Sequence, residues 1–206
     1  MNTISSAYSE LSKSKSEYVQ FYMKNHEQIP TWIMIKVVNF STFIDVLHNS
    51  KTNVTHAICK LYSMYDDHNL PNVKLLIGSL HWLRRVRNSC AHNERVYCIH
   101  QTQARNNSAS GRILDPYYAQ LPTSYSRCTE KNIFDILIYF KYFLPKEEFA
   151  PMIMELKNML IELQNTLQPN AFDNVRGQMG IKNLNVLDTL IALPKSKIEY
   201  HKFDTL

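Results

Sequence analysis

Apolar positions along this chain recur at three-, four- and seven-residue spacing in segment after segment, the period of helices and not the alternation of half-buried strands. From Tyr8 to Met23, the residues Tyr8, Leu11, Tyr18, Val19, Tyr22 and Met23 outline one polar amphipathic helix. Pro30 and Thr31 predict a stop and a cap. A helix over Trp32–Leu47 follows that is apolar nearly all round and is therefore expected at the centre of the fold. Asn53 or Thr55 opens a third helix through Met64, ended by the polar cluster Asp66-Asp67-His68-Asn69. Pro71 stands where a first-turn proline belongs, and a fourth helix over about residues 71–97 carries Val73, Leu76, Ile77, Leu80, Leu83 and Val86 on one face.

Periodicity stops between Ile99 and Ser126, where Gly111, Pro116 and Pro122 stand among Ser, Asn and Thr. A loop over about 99–127 is long for a compact domain. Its Arg105, Arg112, Tyr117, Tyr118 and Tyr125 form either a lid that holds RNA by charge and stacking or a plain connector. Helices then resume over about 130–193. Asn132 to Leu144 is densely apolar and stopped by Pro145, a second helix runs from Lys146 through Leu163 to Pro169, and short ones follow near Ala171–Met179 and Val186–Leu193. The predicted fold is all-α, a single helical bundle spanning residues 1–206.

Composition narrows the chemistry. A chain of 206 residues, 45% hydrophobic, buries roughly 70% of its unfolded surface and needs neither disulfides nor metals for a core. Cys59, Cys90, Cys98 and Cys128 form no C-x-x-C pair and no zinc-type spacing with the histidines, so reduced thiols, no metal and no cofactor are expected. The apolar runs are too short for a signal sequence or a membrane span, which predicts a cytoplasmic protein with no membrane partner. The net charge of +5 is mild but uneven: Arg84, Arg85, Arg87 and Arg95 fall within twelve residues that hold one acid, Glu94. Such a cluster is either a phosphate-binding surface or a solvated helix face.

Phosphate-loop, zinc-protease and serine-hydrolase motifs are absent. The distinctive stretch is Arg87-Asn88-Ser89-Cys90-Ala91-His92, which puts a permanent cation, an amide and an imidazole within six residues. Those groups suit RNA cleavage by the 2′-hydroxyl. Histidine exchanges protons near neutral pH, and arginine clamps a phosphate while charge builds on its oxygens. On an ideal helix Arg87 and His92 stand about 140° apart, whereas Asn88 and His92 share a face. One chain thus offers an incomplete site that a two-fold-related copy could complete. The bland alternative is a structural ion pair or a capped helix end, and His81, beside Trp82, is expected to be a half-buried histidine of the packed helix.

Arg87-Asn88-x-x-x-His92 resembles the R-x(4–6)-H motif of the HEPN superfamily, and the string RNSCAHNERVY resembles the Abi-like abortive-infection family, whose pattern is close to VRNxCAHHxRLW. Ile29–Thr42 resembles that family's LPxWxxIExLSFGT segment and Met179–Asn183 its terminal MGFPxNW, so that the resemblance runs in order over about residues 15–185. This chain departs from the pattern at Lys36, Asn39, Ser41 and Asn93 and lacks the terminal Trp; the N-terminal region of longer members is expected to be absent or shortened.

The resemblance implies a HEPN helical bundle, a homodimer joining two motifs, and a metal-independent endoribonuclease toxin in antiviral defence, silenced by an inhibitory small RNA or antitoxin partner. On it, Arg87, His92 and Asn88 are the catalytic candidates. Arg84, Arg85, Arg95 and Tyr97 are candidates for binding RNA, although a tyrosine placed like Tyr97 is more often a core residue than a base-stacking platform. The alternatives are a non-catalytic HEPN module that binds RNA or a partner and dimerises, and a toxin controlled by modification of a tyrosine near the motif.

Overall fold

Serines at positions 14 and 16 cut the first predicted helix in two. The computed structural model describes residues 3–66, 68–99, 101–102, 121 and 130–195, and the lid candidates Arg105, Arg112, Tyr117, Tyr118 and Tyr125 lie outside them, as does Cys128. Helices α1 (Thr3–Lys13) and α2 (Glu17–Asn25) flank the break. There the Ser14 hydroxyl accepts from the Ser16 N–H (3.4 Å) and the Ser14 carbonyl accepts from the Gln20 amide (2.7 Å). Short polar side chains and amides that satisfy the backbone locally compete with helix continuation. The break lets Leu11 and Val19 share one core with Ile33, all three fully buried.

The second predicted helix also divides, into α3 (Thr31–Val37) and α4 (Phe40–His48). Asn39 is the cause. Its side chain accepts from the Thr42 N–H (3.0 Å) as an N-cap, while its own backbone N–H and amide donate to the Glu10 carboxylate at 2.6 Å each. The expected central burial is not found: α3 buries Ile33 alone, and Trp32 and Ile35 are 49% and 53% exposed. An all-round apolar pattern requires neighbours on every side, and a seven-residue helix packed on one face, through Ile33 with Met34 and Val37 beside it, does not have them. These helices belong to one compact unit, Met1–Thr55, and the rest to a second, His56–Leu206.

Helix α5 (Thr52–Leu61) ends where Ser63 turns left-handed (φ 54°) and the Met64 N–H reaches back to the Cys59 carbonyl (2.8 Å). Asp66 then closes the predicted polar turn, accepting from the N–H groups of His68 and Leu70 at 2.9 Å each. Helix α6 (Val73–Ala91) is shorter at both ends than the predicted 71–97. Asn72 is its cap, accepting from the Leu75 N–H (2.9 Å), and Pro71 instead forms an isolated bridge with Tyr65.

In the second unit α7 (Ile133–Phe143) is the central element, buried at nine of its eleven positions. It packs on α6, on α8 (Lys146–Thr166) and on a 3₁₀ turn, η1 (Val96–Cys98); α9 (Pro169–Gln178) and α10 (Asn185–Ala192) complete the unit. Pro145 and Pro169 interrupt the helices at the predicted places. Two lysines tie α7 and α10 reciprocally: buried Lys141 donates to the Leu190 and Ile191 carbonyls, and Lys195 donates to those of Tyr142 (3.1 Å) and Leu144 (2.9 Å). Each satisfies carbonyls that a helix end leaves over.

Strands β1 (Gln101–Thr102) and β2 (Glu130–Lys131) pair antiparallel, Gln101 opposite Lys131, and join the two ends of the predicted 99–127 loop. Apart from this two-residue ladder and the Tyr65–Pro71 bridge, the regular structure of the described residues is helical, and the all-α class is what the periodicity predicts. Among the described residues no helix is long and apolar enough to cross a membrane.

Candidate functional site

The motif occupies the last turn of α6, and Asn93 decides where that turn ends. Asn93 adopts the left-handed conformation (φ 55°), its N–H donates to the Cys90 carbonyl (3.1 Å), and the Glu94 N–H reaches back to Ser89 (2.9 Å). This is a Schellman arrangement with asparagine at the position that glycine most often fills. His92 is therefore the C-cap, its backbone N–H bonded to Asn88 (3.0 Å) and its imidazole exposed. The capped helix end and an available side chain coexist, because the cap is made by main-chain atoms.

A groove of about 500 Å³ runs along this part of α6. Asn88 and His92 line it together, with Arg84 and Arg85 beside them. Arg87 lies outside the lining but touches it, donating from Nη1 to the Asn88 Oδ1 (3.1 Å). Arg95 and Tyr97 are also outside it, both exposed, Arg95 preceding η1 and Tyr97 within it. The sequence reading did not place His81, Ser89, Gly78 and Glu94 at the site, and all four line the groove. His81 is exposed, contrary to its expected half-burial. Its four-three-four spacing with Arg85, Asn88 and His92 was available in the sequence as a polar stripe on one helix face.

The floor is fixed from far along the chain. Trp82 is 2% exposed and its indole N–H donates to the Asn132 carbonyl (3.2 Å) at the start of α7; the Arg85 guanidinium lies over the Trp82 ring, 5.4 Å from its centroid. A buried indole needs such a partner, and a guanidinium over its face is attracted by the ring's negative quadrupole. The Asn132 side chain caps α7 by accepting from the Phe134 N–H (3.0 Å), and that N–H also meets the Met179 carbonyl (3.0 Å). Gly180 follows at φ 79°, with Asn132 against its α-carbon, and Asn183 accepts from the Val186 N–H (3.0 Å) to start α10.

Residues 1–98 match the family model described as Abi-like protein. No curated protein and no solved structure matches the chain. The match covers just under half of the chain and supports the Abi-like family. Every described residue that lines the groove falls inside the Abi-like stretch, as does the segment Ile29–Thr42. Asn132 and the Met179–Asn183 turn, which support the groove from beneath, lie beyond it. Among the described residues no three His, Cys, Asp or Glu side chains gather as metal ligands.

Proposed function

We propose that the α6 groove is one half of the active centre of a metal-independent HEPN endoribonuclease acting in abortive infection and phage defence, with a second copy of the chain supplying the other half. The observation that supports this most directly is the grouping of Asn88 and His92 with Arg84 and Arg85 in one groove while Arg87 stands on its edge. An imidazole and an amide on one face, with a guanidinium bonded to the amide from outside the lining, are the parts of a site that two copies complete.

In this mechanism one imidazole takes the proton of the RNA 2′-hydroxyl. The 2′-oxygen bonds to phosphorus, the bond from phosphorus to the 5′-oxygen breaks, and the imidazole of the second copy protonates that departing oxygen. The products end in a 2′,3′-cyclic phosphate and a 5′-hydroxyl. General acid–base catalysis of this kind contributes roughly 10²–10⁴-fold. Arg87 neutralises charge on the phosphate oxygens, Asn88 orients it, and Arg84, Arg85, Arg95 and Tyr97 hold the flanking RNA. A small RNA or an antitoxin seated on the same basic surface would keep the toxin silent in the cytoplasm.

The test is cleavage of labelled RNA by purified protein in EDTA, with light scattering to give the oligomeric state. Wild type should cut as a homodimer and leave cyclic-phosphate ends, and His92→Ala and Arg87→Ala should each lose at least a hundredfold. A strict monomer, or cutting that persists without His92, would refute the composite site. RNA binding without cleavage, indifferent to Arg87→Ala, would identify a non-catalytic dimerisation module.

A further inference from the structure

We propose that the groove is the track of a single RNA strand extending from His92 toward His81, with Arg85 the residue that grips a phosphate beyond the cleaved linkage; which linkage is cut rests on the ribonuclease reading above. His81, Arg85, Asn88 and His92 follow one another at four, three and four residues, so they stand in line on one face of α6. At 1.5 Å per residue that line is about 16 Å long, far more than one phosphate needs and enough for several successive nucleotides. A groove of about 500 Å³ has room for one backbone along that line.

Charge sets the direction. Glu94 is the carboxylate in the described lining and sits at the His92 end, the negative pole of the helix dipole. The phosphate of the cleaved linkage is held at that end by His92 and Arg87, and the phosphates beyond it are drawn away from Glu94 toward Arg84 and Arg85. Arg85 is prepared for this role: its guanidinium lies over the ring of Trp82, which Asn132 fixes in turn, so less order has to be imposed when a phosphate arrives. His81, exposed one turn further, meets the next phosphate or a base edge. Both are positioning residues, acting on the strand and not on the reacting atoms.

Fluorescence anisotropy of the full chain with 2′-O-methyl oligouridylates, which bind without being cut, tests this. Wild type should bind an eight-nucleotide strand at least tenfold more tightly than a dinucleotide, and more tightly than an eight-base-pair duplex. Arg85→Ala should weaken octamer binding about tenfold and lower the salt-dependence slope by about 0.7, the contribution of one phosphate contact on a single strand. Arg85→Lys should fall between, keeping charge but losing the planar two-pronged donor, and His81→Ala should cost about threefold. A merely structural Arg85 would not change the salt slope. Equal affinity for dinucleotide and octamer, an unchanged slope in Arg85→Ala, or displacement of the octamer by equimolar polyglutamate would overturn the proposal. Length-dependent binding with no cleavage in EDTA would end the ribonuclease reading and leave the strand track standing, whereas cleavage without length dependence would do the reverse.

Discussion

Two glycines three residues apart should respond to alanine with opposite signs. Gly180 has φ 79°, and a β-carbon there would lie 2.2, 2.3 and 2.4 Å from the Nδ2, Cγ and Oδ1 of Asn132. Gly177 lies inside α9 with nothing within 4 Å of the same position. Gly180→Ala therefore incurs left-handed strain of about 1–2 kcal/mol and, by pushing the Asn132 side chain off the Phe134 N–H, loses a helix cap worth about 1 kcal/mol. The sum is about 2–3 kcal/mol, or about 5–10 °C in a unit of this size. Gly177→Ala should instead stabilise by about 0.5–1 kcal/mol, since it removes backbone freedom from the unfolded chain. Urea unfolding followed by tryptophan fluorescence in a Trp32→Phe background measures both. The chain has two tryptophans, and the remaining Trp82 is buried against Asn132, so the signal reports the second unit. A Gly180→Ala midpoint equal to the parent's, or a Gly177→Ala loss as large as that of Gly180→Ala, would refute this account of the turn. Because Asn132 also carries the Trp82 bond, Gly180→Ala should additionally weaken octamer binding while Gly177→Ala leaves it intact.

Other changes probe the remaining contacts. Asn93→Val should cost about 1–2 kcal/mol in thermal unfolding and Asn93→Gly no more than about 0.5, because the left-handed angle and not the side chain ends α6; equal losses would say otherwise. Glu10→Ala removes the acceptor for the Asn39 N–H and amide and should cost the first unit about 1–2 kcal/mol, visible as faster amide exchange in α1 and α4 and disproved by unchanged exchange there. Burial pushes the Cys59 thiol up to about 11, so at pH 8 it stays protonated as well as covered. Iodoacetamide should then label exposed Cys90 and spare Cys59 until urea is added, and early labelling of Cys59 would contradict its burial.

Periodicity and local capping were enough to establish the helical class, the buried α7 and the breaks at Pro145 and Pro169, because those features are decided by residues a few positions apart. The stripe through Asn88 and His92, and the angular separation of Arg87 from His92, also follow from helix geometry alone. Tertiary structure decided the rest. Asn39 reads as one more polar residue in an apolar run until Glu10, twenty-nine positions earlier, comes within 2.6 Å of it and a helix becomes two. Trp32 and Ile35 have the composition of core, yet whether they are covered depends on what packs against α3. Trp82 reaches a carbonyl fifty residues ahead, and Gly180 makes room for the residue that carries it. Such pairings join groups distant in the chain, and only the packed fold selects them. The spacing of side chains along α6 was thus written in the sequence, while the support that holds Arg85 and His92 in a usable groove was not.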